Sequence, residues 1–239
     1  MLPILLLISF AALAYSDLAQ LVKPCNRTGD INACLLNNLE SAKEDIINGI
    51  PELMIPNLKV IFITHSSINI TNLKIDLWNF NITGLEKFVI KSIDTDLNNR
   101  IIKVTIMLPY LDGIGSYKIK GNLFNLNLDS MGELTGNATN SILHYTLRLT
   151  VAERNRDFHL MRESQEFKIN MKSGVFYCHF DNLYLGSNEL TETMNRIINH
   201  NSYYMFEMLI PFLENILDDI VGNAIDLVFA RYSFDEMFP

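Results

Sequence analysis

The chain has 239 residues, 49% of them hydrophobic, and a formal net charge of -8 at pH 7. A chain of this length can bury a large core in one domain. Acidic and basic side chains are scattered along it without a basic run. That pattern argues against nucleic acid and against an anionic membrane surface as the main partner, because both attract clustered Lys and Arg.

Residues 1–16 have the character of a signal peptide. They contain no charged residue, and an apolar run at residues 2–10 is followed by small residues such as Ala12 and Ala14. The run is too short to be a permanent membrane span. The remaining residues, 17–239, are predicted to form a single secreted domain without stable membrane insertion.

Four Asn-x-Ser/Thr sequons are consistent with a secreted glycoprotein. They lie at Asn26, Asn69, Asn81 and Asn137. Such triplets also arise by chance in a chain rich in Asn, so we expect about two or three of them to carry a glycan.

Three cysteines are an odd number for an oxidising compartment. Cys25 and Cys34 enclose a short polar segment, and their closeness predicts that they pair. Cys178 lies in an alternating, strand-like run, which predicts a small buried apolar residue. A disulfide from Cys178 to a second molecule remains the alternative.

The first predicted element of the mature chain is a helix. Apolar residues recur at helical spacing after Asp30, which is a good N-cap, and Gly49 followed by Pro51 supplies the end. The predicted disulfide would tie the mature N-terminus to the start of this helix.

From residue 60 to residue 180 the hydrophobic pattern alternates, as is typical of half-buried strands. No helical pattern separates the strands, so hairpins and an antiparallel sheet are predicted. Glycines from Gly113 to Gly136 gather where bending of the sheet would be useful. Turns are predicted at Thr83-Gly84, Asn98-Asn99, Asp112-Gly113, Lys120-Gly121-Asn122, Ser130-Met131-Gly132, Asn155-Arg156-Asp157 and Lys172-Ser173-Gly174.

Residues 191–229 carry apolar side chains at steps of three and four over a greater length than an ordinary surface helix needs. The pattern predicts one long helix with a bend near Pro211. Its apolar face is too wide for a single neighbouring helix to cover, so the sheet is predicted to wrap it. The predicted fold class is α+β, with a long C-terminal helix wrapped by a highly curved antiparallel sheet, plus an N-terminal helix.

The sequence offers little that resembles catalytic chemistry. Its five histidines are far apart, which argues against a metal site. The segment from Asp94 lacks the glycine and final acid of a calcium loop, and residues 113–116 fit neither a nucleophile elbow nor a dinucleotide loop. Glu214 and Asp218 share the helix face opposite the apolar one, which indicates a solvated face rather than an acid–base pair. We therefore predict no catalytic residue, no metal, no cofactor and no enzyme.

Short motifs occur in order along nearly the whole mature chain. They are Pro24-Cys25 with Cys34, Gly49-Ile50-Pro51-Glu52-Leu53, Gly84-Leu85-Glu86-Lys87-Phe88, Leu108-Pro109-Tyr110-Leu111, Gly115-Ser116-Tyr117, Phe180-Asp181-Asn182-Leu183-Tyr184 and the terminal Phe234-Asp235-Glu236-Met237-Phe238-Pro239. Each is weak alone. Together, by their order and spacing, they resemble the insect takeout and haemolymph juvenile hormone binding protein family.

The resemblance implies a tubular lipid-binding fold with an internal tunnel for a lipophilic ligand. It also implies an insect source, secretion into haemolymph or another extracellular fluid, and a disulfide between Cys25 and Cys34. The hormone carriers of the family have a second disulfide, whereas this chain has only Cys178 in that region. The chain is therefore more similar to the takeout branch.

The middle of the long helix is expected to form one wall of the tunnel, because methionine and phenylalanine side chains adapt to a flexible apolar ligand. Polar side chains, with Tyr203 and Asn201 among the candidates, would orient the ligand. The predicted ligand-binding residues are Met205, Met208, Leu209, Phe212, Ile216, Tyr204, Tyr110 and Trp78.

The sequence thus predicts a secreted, extracellular carrier of a small hydrophobic ligand, such as a juvenile-hormone-like terpenoid, a fatty acid or another lipid. The alternative is a secreted signalling or interaction protein of the same fold, whose tunnel is filled by its own side chains and which carries no lipid. A third hypothesis, a secreted hydrolase, requires a Ser or Asp aligned with a His in a cleft. No nucleic acid partner is expected, and the sequence identifies no protein partner.

Overall fold

The computed structural model describes residues 23–70, 72–123, 126–154, 156–171 and 174–239. The predicted signal peptide lies outside these residues. The helices are α1 (Ile31–Ser41), α2 (Lys43–Asn48), α3 (Asn188–His200), α4 (Ser202–Arg231) and α5 (Phe234–Met237). The strands are β1 (Ile61–Ile70), β2 (Leu73–Thr83), β3 (Val89–Asp96), β4 (Ile101–Leu123), β5 (Leu126–Arg154), β6 (Asp157–Asn170) and β7 (Phe176–Phe180).

The seven strands form one antiparallel sheet in the order β1-β2-β4-β5-β6. The two longest strands, β4 and β5, pair with each other along almost their whole length. On its other side, each long strand pairs with two shorter strands, one after the other along its length. β4 pairs with β3 and then β2, and β5 pairs with β7 and then β6. The sheet does not close on itself, so β1 and β6 are its ends. The predicted α+β fold, with a curved antiparallel sheet around a long C-terminal helix, is confirmed.

Three of the predicted turns are wrong, because Asp112-Gly113 and Lys120-Gly121-Asn122 lie inside β4 and Ser130-Met131-Gly132 lies inside β5. At Gly113 and Gly115 of β4, the absence of a side chain instead allows Phe80 of β2 to lie close to the strand. A Cβ on Gly113 would lie 2.7 Å from Cε1 of Phe80, and one on Gly115 would lie 2.6 Å from its Cα. Phe80 sits where β2 shifts register against β4. Glycine there admits the bulged strand rather than reversing the chain.

The inner face of the sheet and the apolar face of α4 form the main core. Alternate residues of a strand point to the same face, which is why Leu73, Ile75 and Leu77 of β2 are all buried. α4 contributes buried Met205 and Phe206 to the same cluster. The alternating pattern therefore predicts the inward-facing residues of β2 correctly, whereas the helical pattern includes Met205 but omits Phe206.

The N-terminal disulfide is as predicted, whereas the single predicted helix is divided at Ala42 into α1 and α2. Cys25 and Cys34 are bonded, with their Cα atoms 5.8 Å apart. Asp30 caps α1, since its Oδ1 accepts a hydrogen bond from the backbone N–H of Ala33 at 3.0 Å. The backbone N–H of Cys25 also donates to the carbonyl of Met237 at 2.8 Å, so this corner joins both ends of the described chain.

The prediction of one continuous helix over residues 191–229 is wrong at Asn201. α3 ends there, and α4 begins at the next residue. The side-chain amide of Asn201 donates to the carbonyl of Ile197 at 2.7 Å, and this competition with the backbone favours a helix end. α4 continues through Pro211, which is compatible with helix at the cost of one backbone hydrogen bond.

The edge of β7 that faces away from β5 is covered by side chains of α3. Asn195 accepts from the N–H of Phe180 and donates to its carbonyl, both at 3.0 Å. Asn199 makes the same pair of bonds to Cys178, at 2.9 and 2.7 Å. One turn earlier on the same helix face, Thr191 accepts from the N–H of Tyr184 at 2.9 Å. The helix thus supplies the hydrogen bonds that a neighbouring strand would otherwise provide.

Replacing Asn195 with alanine should destabilise the protein by about 2–4 kcal/mol, because the buried N–H and carbonyl of Phe180 would both lose their partners. Urea unfolding followed by circular dichroism measures the change. Glu192→Ala, on the exposed side of α3, is the matched control and should change stability by less than about 0.5 kcal/mol. Equal unfolding curves for the two variants would contradict this account of the β7 edge.

Candidate ligand-binding site

An apolar cavity of about 110 Å³ lies between the inner face of the sheet and the first half of α4. Asp112 and Asn137, paired neighbours on β4 and β5, also line it, although alternation turns their side chains to the other face of the sheet. The lining residues are Ile68, Ile75, Leu77, Phe80, Ile82, Leu111, Asp112, Gly113, Leu134, Gly136, Asn137, Ala138, Phe176, Cys178, Phe180, Met205, Phe206, Met208, Leu209, Phe212 and Leu213.

The strand side of the cavity follows from alternation and from residue size. On β7 the inward residues Phe176, Cys178 and Phe180 form one wall, with Cys178 exposed by only 3%. Opposite them on β5 the inward residues include Gly136 and Ala138, which lack bulky side chains. Because large and small side chains face one another without filling the space, a void remains beside α4.

The helix side of the cavity contains four of the predicted residues. Met205, Met208, Leu209 and Phe212 all line it, at the three- and four-residue steps of one helix face. Ile216, one turn further along, packs against the core without lining the cavity. Sequence reasoning missed Phe206 and Leu213 as lining residues, together with every residue from the strands. Alternation marks these strand residues as buried but gives no sign of a void next to them.

The other predicted residues lie elsewhere. Tyr110 does not line the cavity, but its hydroxyl donates to Oδ1 of Asp112 at 2.7 Å, and this bond raises the pKa of Tyr110. Tyr204 is 55% exposed. Trp78 packs its ring 5.3 Å from that of His65 and lines a separate shallow pocket. Asn201 was a candidate for orienting the ligand, but its side-chain amide instead donates a hydrogen bond to the carbonyl of Ile197 at the end of α3.

Ionisable groups beside the cavity are held in their neutral forms by burial. Burial raises the pKa of the Cys178 thiol to about 12, and that of Tyr117 also to about 12. The Tyr117 hydroxyl donates to the carbonyl of Asp181 at 2.5 Å. A thiol with so high a pKa carries almost no thiolate at neutral pH, so Cys178 behaves as part of the apolar wall.

Asp218 is exposed, as the interpretation of a solvated face predicted, but the polar face of α4 also makes hydrogen bonds and an ion pair to the sheet. Nε2 of Gln165, on β6, donates to Oδ1 of Asp218 at 2.7 Å. About two turns further along α4, Asp226 forms an ion pair with Arg162 of β6. Burial raises the pKa of Glu214, with the neighbouring Glu166 adding to the effect. These groups fasten the helix to the sheet rather than forming an acid–base pair.

The four sequons differ in exposure. Asn26 and Asn69 are exposed, whereas Asn81 and Asn137 are half-buried. Oδ1 of Asn26 accepts hydrogen bonds from both the N–H and the hydroxyl of Thr28. Glycosylation at any of these positions stays a prediction.

Within the part of the chain that the structure describes, no group of three or more His, Cys, Asp or Glu side chains could hold a metal ion. None of the described helices is long and apolar enough to cross a membrane.

Comparison with known proteins places the chain in a family. A profile of the haemolymph juvenile hormone binding protein family matches residues 4–239. The chain belongs to this family. A search of curated proteins finds no match. Among solved structures, the fold is similar to that of the crystal structure of Epiphyas postvittana Takeout 1, with a TM-score of 0.73 at 20% identity. The match covers 91% of this chain and 99% of that chain.

A more distant match is a lipopolysaccharide binding protein, with a TM-score of 0.35 and 11% identity. It covers 83% of this chain and 38% of the other, and at that level of similarity it carries no argument about the site.

The thiol of Cys178 should react with a small disulfide reagent at pH 8 at least about a hundredfold more slowly in the folded protein than in urea, because its raised pKa suppresses the reactive thiolate. A spectrophotometric thiol assay measures both rates. Cys178→Ser supplies the blank, since Cys25 and Cys34 are already bonded. Similar rates in the folded and unfolded states would show that the cavity wall is open to solvent.

Proposed function

We propose that the protein is a secreted carrier that binds a small hydrophobic ligand, such as a juvenile-hormone-like terpenoid, a fatty acid or another lipid, between α4 and the sheet. The observation that carries the proposal is the apolar cavity whose helix wall consists of Met205, Met208, Leu209 and Phe212. Each CH2 group that a ligand buries there contributes about 0.8 kcal/mol. A ligand of about ten apolar carbons would then bind without a charged contact.

The size of the cavity limits how such a ligand binds. Its volume of about 110 Å³ is below the roughly 300–1,000 Å³ of most small-molecule sites. A chain of ten carbons therefore requires lining side chains to move. Met205 and Met208 suit that role, because methionine is unbranched and changes rotamer readily.

The wall of the cavity favours an uncharged ligand. Asp112 and Asn137 are paired between the inward-facing residues of β4 and β5, so alternation turns their side chains to the other face of the sheet. An ionised head group buried in the apolar wall would lack a partner, and burial of an unpaired charge is costly. Among the proposed ligands, a neutral terpenoid or alcohol therefore fits better than an ionised fatty acid.

The second candidate is a secreted signalling or interaction protein that carries no lipid. The small volume of the cavity, about 110 Å³, favours it. Native mass spectrometry of the secreted protein, before and after extraction with organic solvent, separates the two functions. A bound lipid supports the carrier. A clean protein that also fails to displace a fluorescent lipid probe supports the alternative.

Replacing Met208 with tryptophan should weaken binding of a fluorescent lipid probe at least about tenfold, equivalent to about 1.4 kcal/mol, by filling the cavity without adding charge. Fluorescence titration measures the affinity. Leu227→Trp is the matched control, because Leu227 is on the same helix, is 38% exposed and does not line the cavity. Unchanged affinity in a folded Met208→Trp variant would place the ligand elsewhere.

A further inference from the structure

One end of the sheet, strand β1, has an unpaired edge. β1 pairs with β2 along Ile61–Ile70, and no other described strand pairs with it. On its other side, the described residues make no backbone hydrogen bonds to this strand. Half of the backbone N–H and C=O groups of an edge strand point outward, where they can pair with a strand from another molecule.

The sequence of β1 lacks the features that usually protect such an edge. Its ten residues, IFITHSSINI, include no Lys, Arg, Asp, Glu, Pro or Gly. Phe62 is 57% exposed, so the strand also presents an apolar side chain to solvent. A segment with high β-propensity, little charge and no proline is the type that associates edge to edge. The side chains of β1 therefore do not protect the edge against pairing with a second copy.

The sequon at Asn69 is placed to do this. Asn69 is exposed near the end of β1, opposite Lys74 of β2. Asn26 precedes α1, whereas Asn81 and Asn137 lie on β2 and β5, which have neighbours on both sides. Of the four sequons, all within the described residues, Asn69 is the one on an unpaired edge.

Symmetry makes the position effective. Two copies that paired their β1 strands antiparallel over the full length would be related by a two-fold axis. Full-length pairing would place Ile61 of one copy opposite Ile70 of the other. In that register, Asn69 of each copy lies opposite Phe62 of the other. A bulky, hydrated glycan on Asn69 would cover the exposed Phe62 of the incoming strand and block the pairing at both ends.

We propose that Asn69 carries an N-linked glycan that guards the β1 edge against pairing with a second copy of the chain. The proposal rests on the secretion that the proposed function includes, because N-glycosylation takes place in the secretory pathway. It does not depend on any ligand.

The test uses the full chain secreted from an insect cell line, as wild type, Asn69→Gln, Asn69→Lys and the control Asn26→Gln. Glycopeptide mass spectrometry reports whether Asn69 is occupied, and light scattering after gel filtration reports the mass. Wild type and Asn26→Gln should be monomers. Asn69→Gln should at least double in mass. Asn69→Lys should remain a monomer without the glycan, because a charge protects the edge in its place.

Wild type expressed with a mannosidase inhibitor can be trimmed in the folded state by an endoglycosidase, which leaves one N-acetylglucosamine on an uncharged Asn69. This trimming should reproduce the Asn69→Gln result, which covers the case of a variant that fails to fold. An unoccupied Asn69 in the wild type, or a monomeric Asn69→Gln, would overturn the proposal. Association of Asn69→Lys would overturn the guarding role in particular. Displacement of the lipid probe, measured on the same samples, reports the carrier function independently of these outcomes.

Discussion

The whole structure depends on one requirement: the sheet is not closed, so its apolar inner face must be covered by α4. Burial of that face stabilises the fold in proportion to the apolar area removed from water, about 25 cal/mol per Å². Polar bonds then fix where the helix lies. Gln165 and Arg162 of β6 hold Asp218 and Asp226, and His159 contacts the carbonyl of Phe229 at 3.1 Å. These bonds attach the helix to the β6 end of the sheet, whereas β1 meets it through apolar side chains.

The same requirement explains why a cavity can exist inside a stable core. Small residues at Gly113, Gly136 and Ala138 leave space that larger side chains would fill, and a void in a core costs stability. The charged and amide contacts between α4 and β6 are outside that void, so the helix stays in place whether or not the void is filled. In the proposed carrier, the ligand would therefore contact the apolar face of the helix, while the polar face holds the helix to the sheet.

Much of this arrangement could be predicted from the sequence. Alternation identified the buried residues of β7, and helical spacing identified Met205, Met208, Leu209 and Phe212 on one face. Prediction failed for residues whose role depends on a partner that is distant in the sequence. Gly113 was interpreted as a turn because its local signal is conformational freedom, yet it admits the Phe80 ring. Asn195 gives the signal of a weak helix former, and nothing local reveals that it pairs with Phe180.

The asparagine bonds from α3 to β7 also determine how the cavity can change shape. Cys178 and Phe180 line the cavity, and their backbones are fixed between β5 on one side and Asn199 and Asn195 on the other. That wall is rigid. The facing wall is made of long side chains on α4 that can change rotamer without breaking a hydrogen bond. A ligand of the proposed carrier would therefore be selected for shape by the strand side and accommodated in length by the helix side.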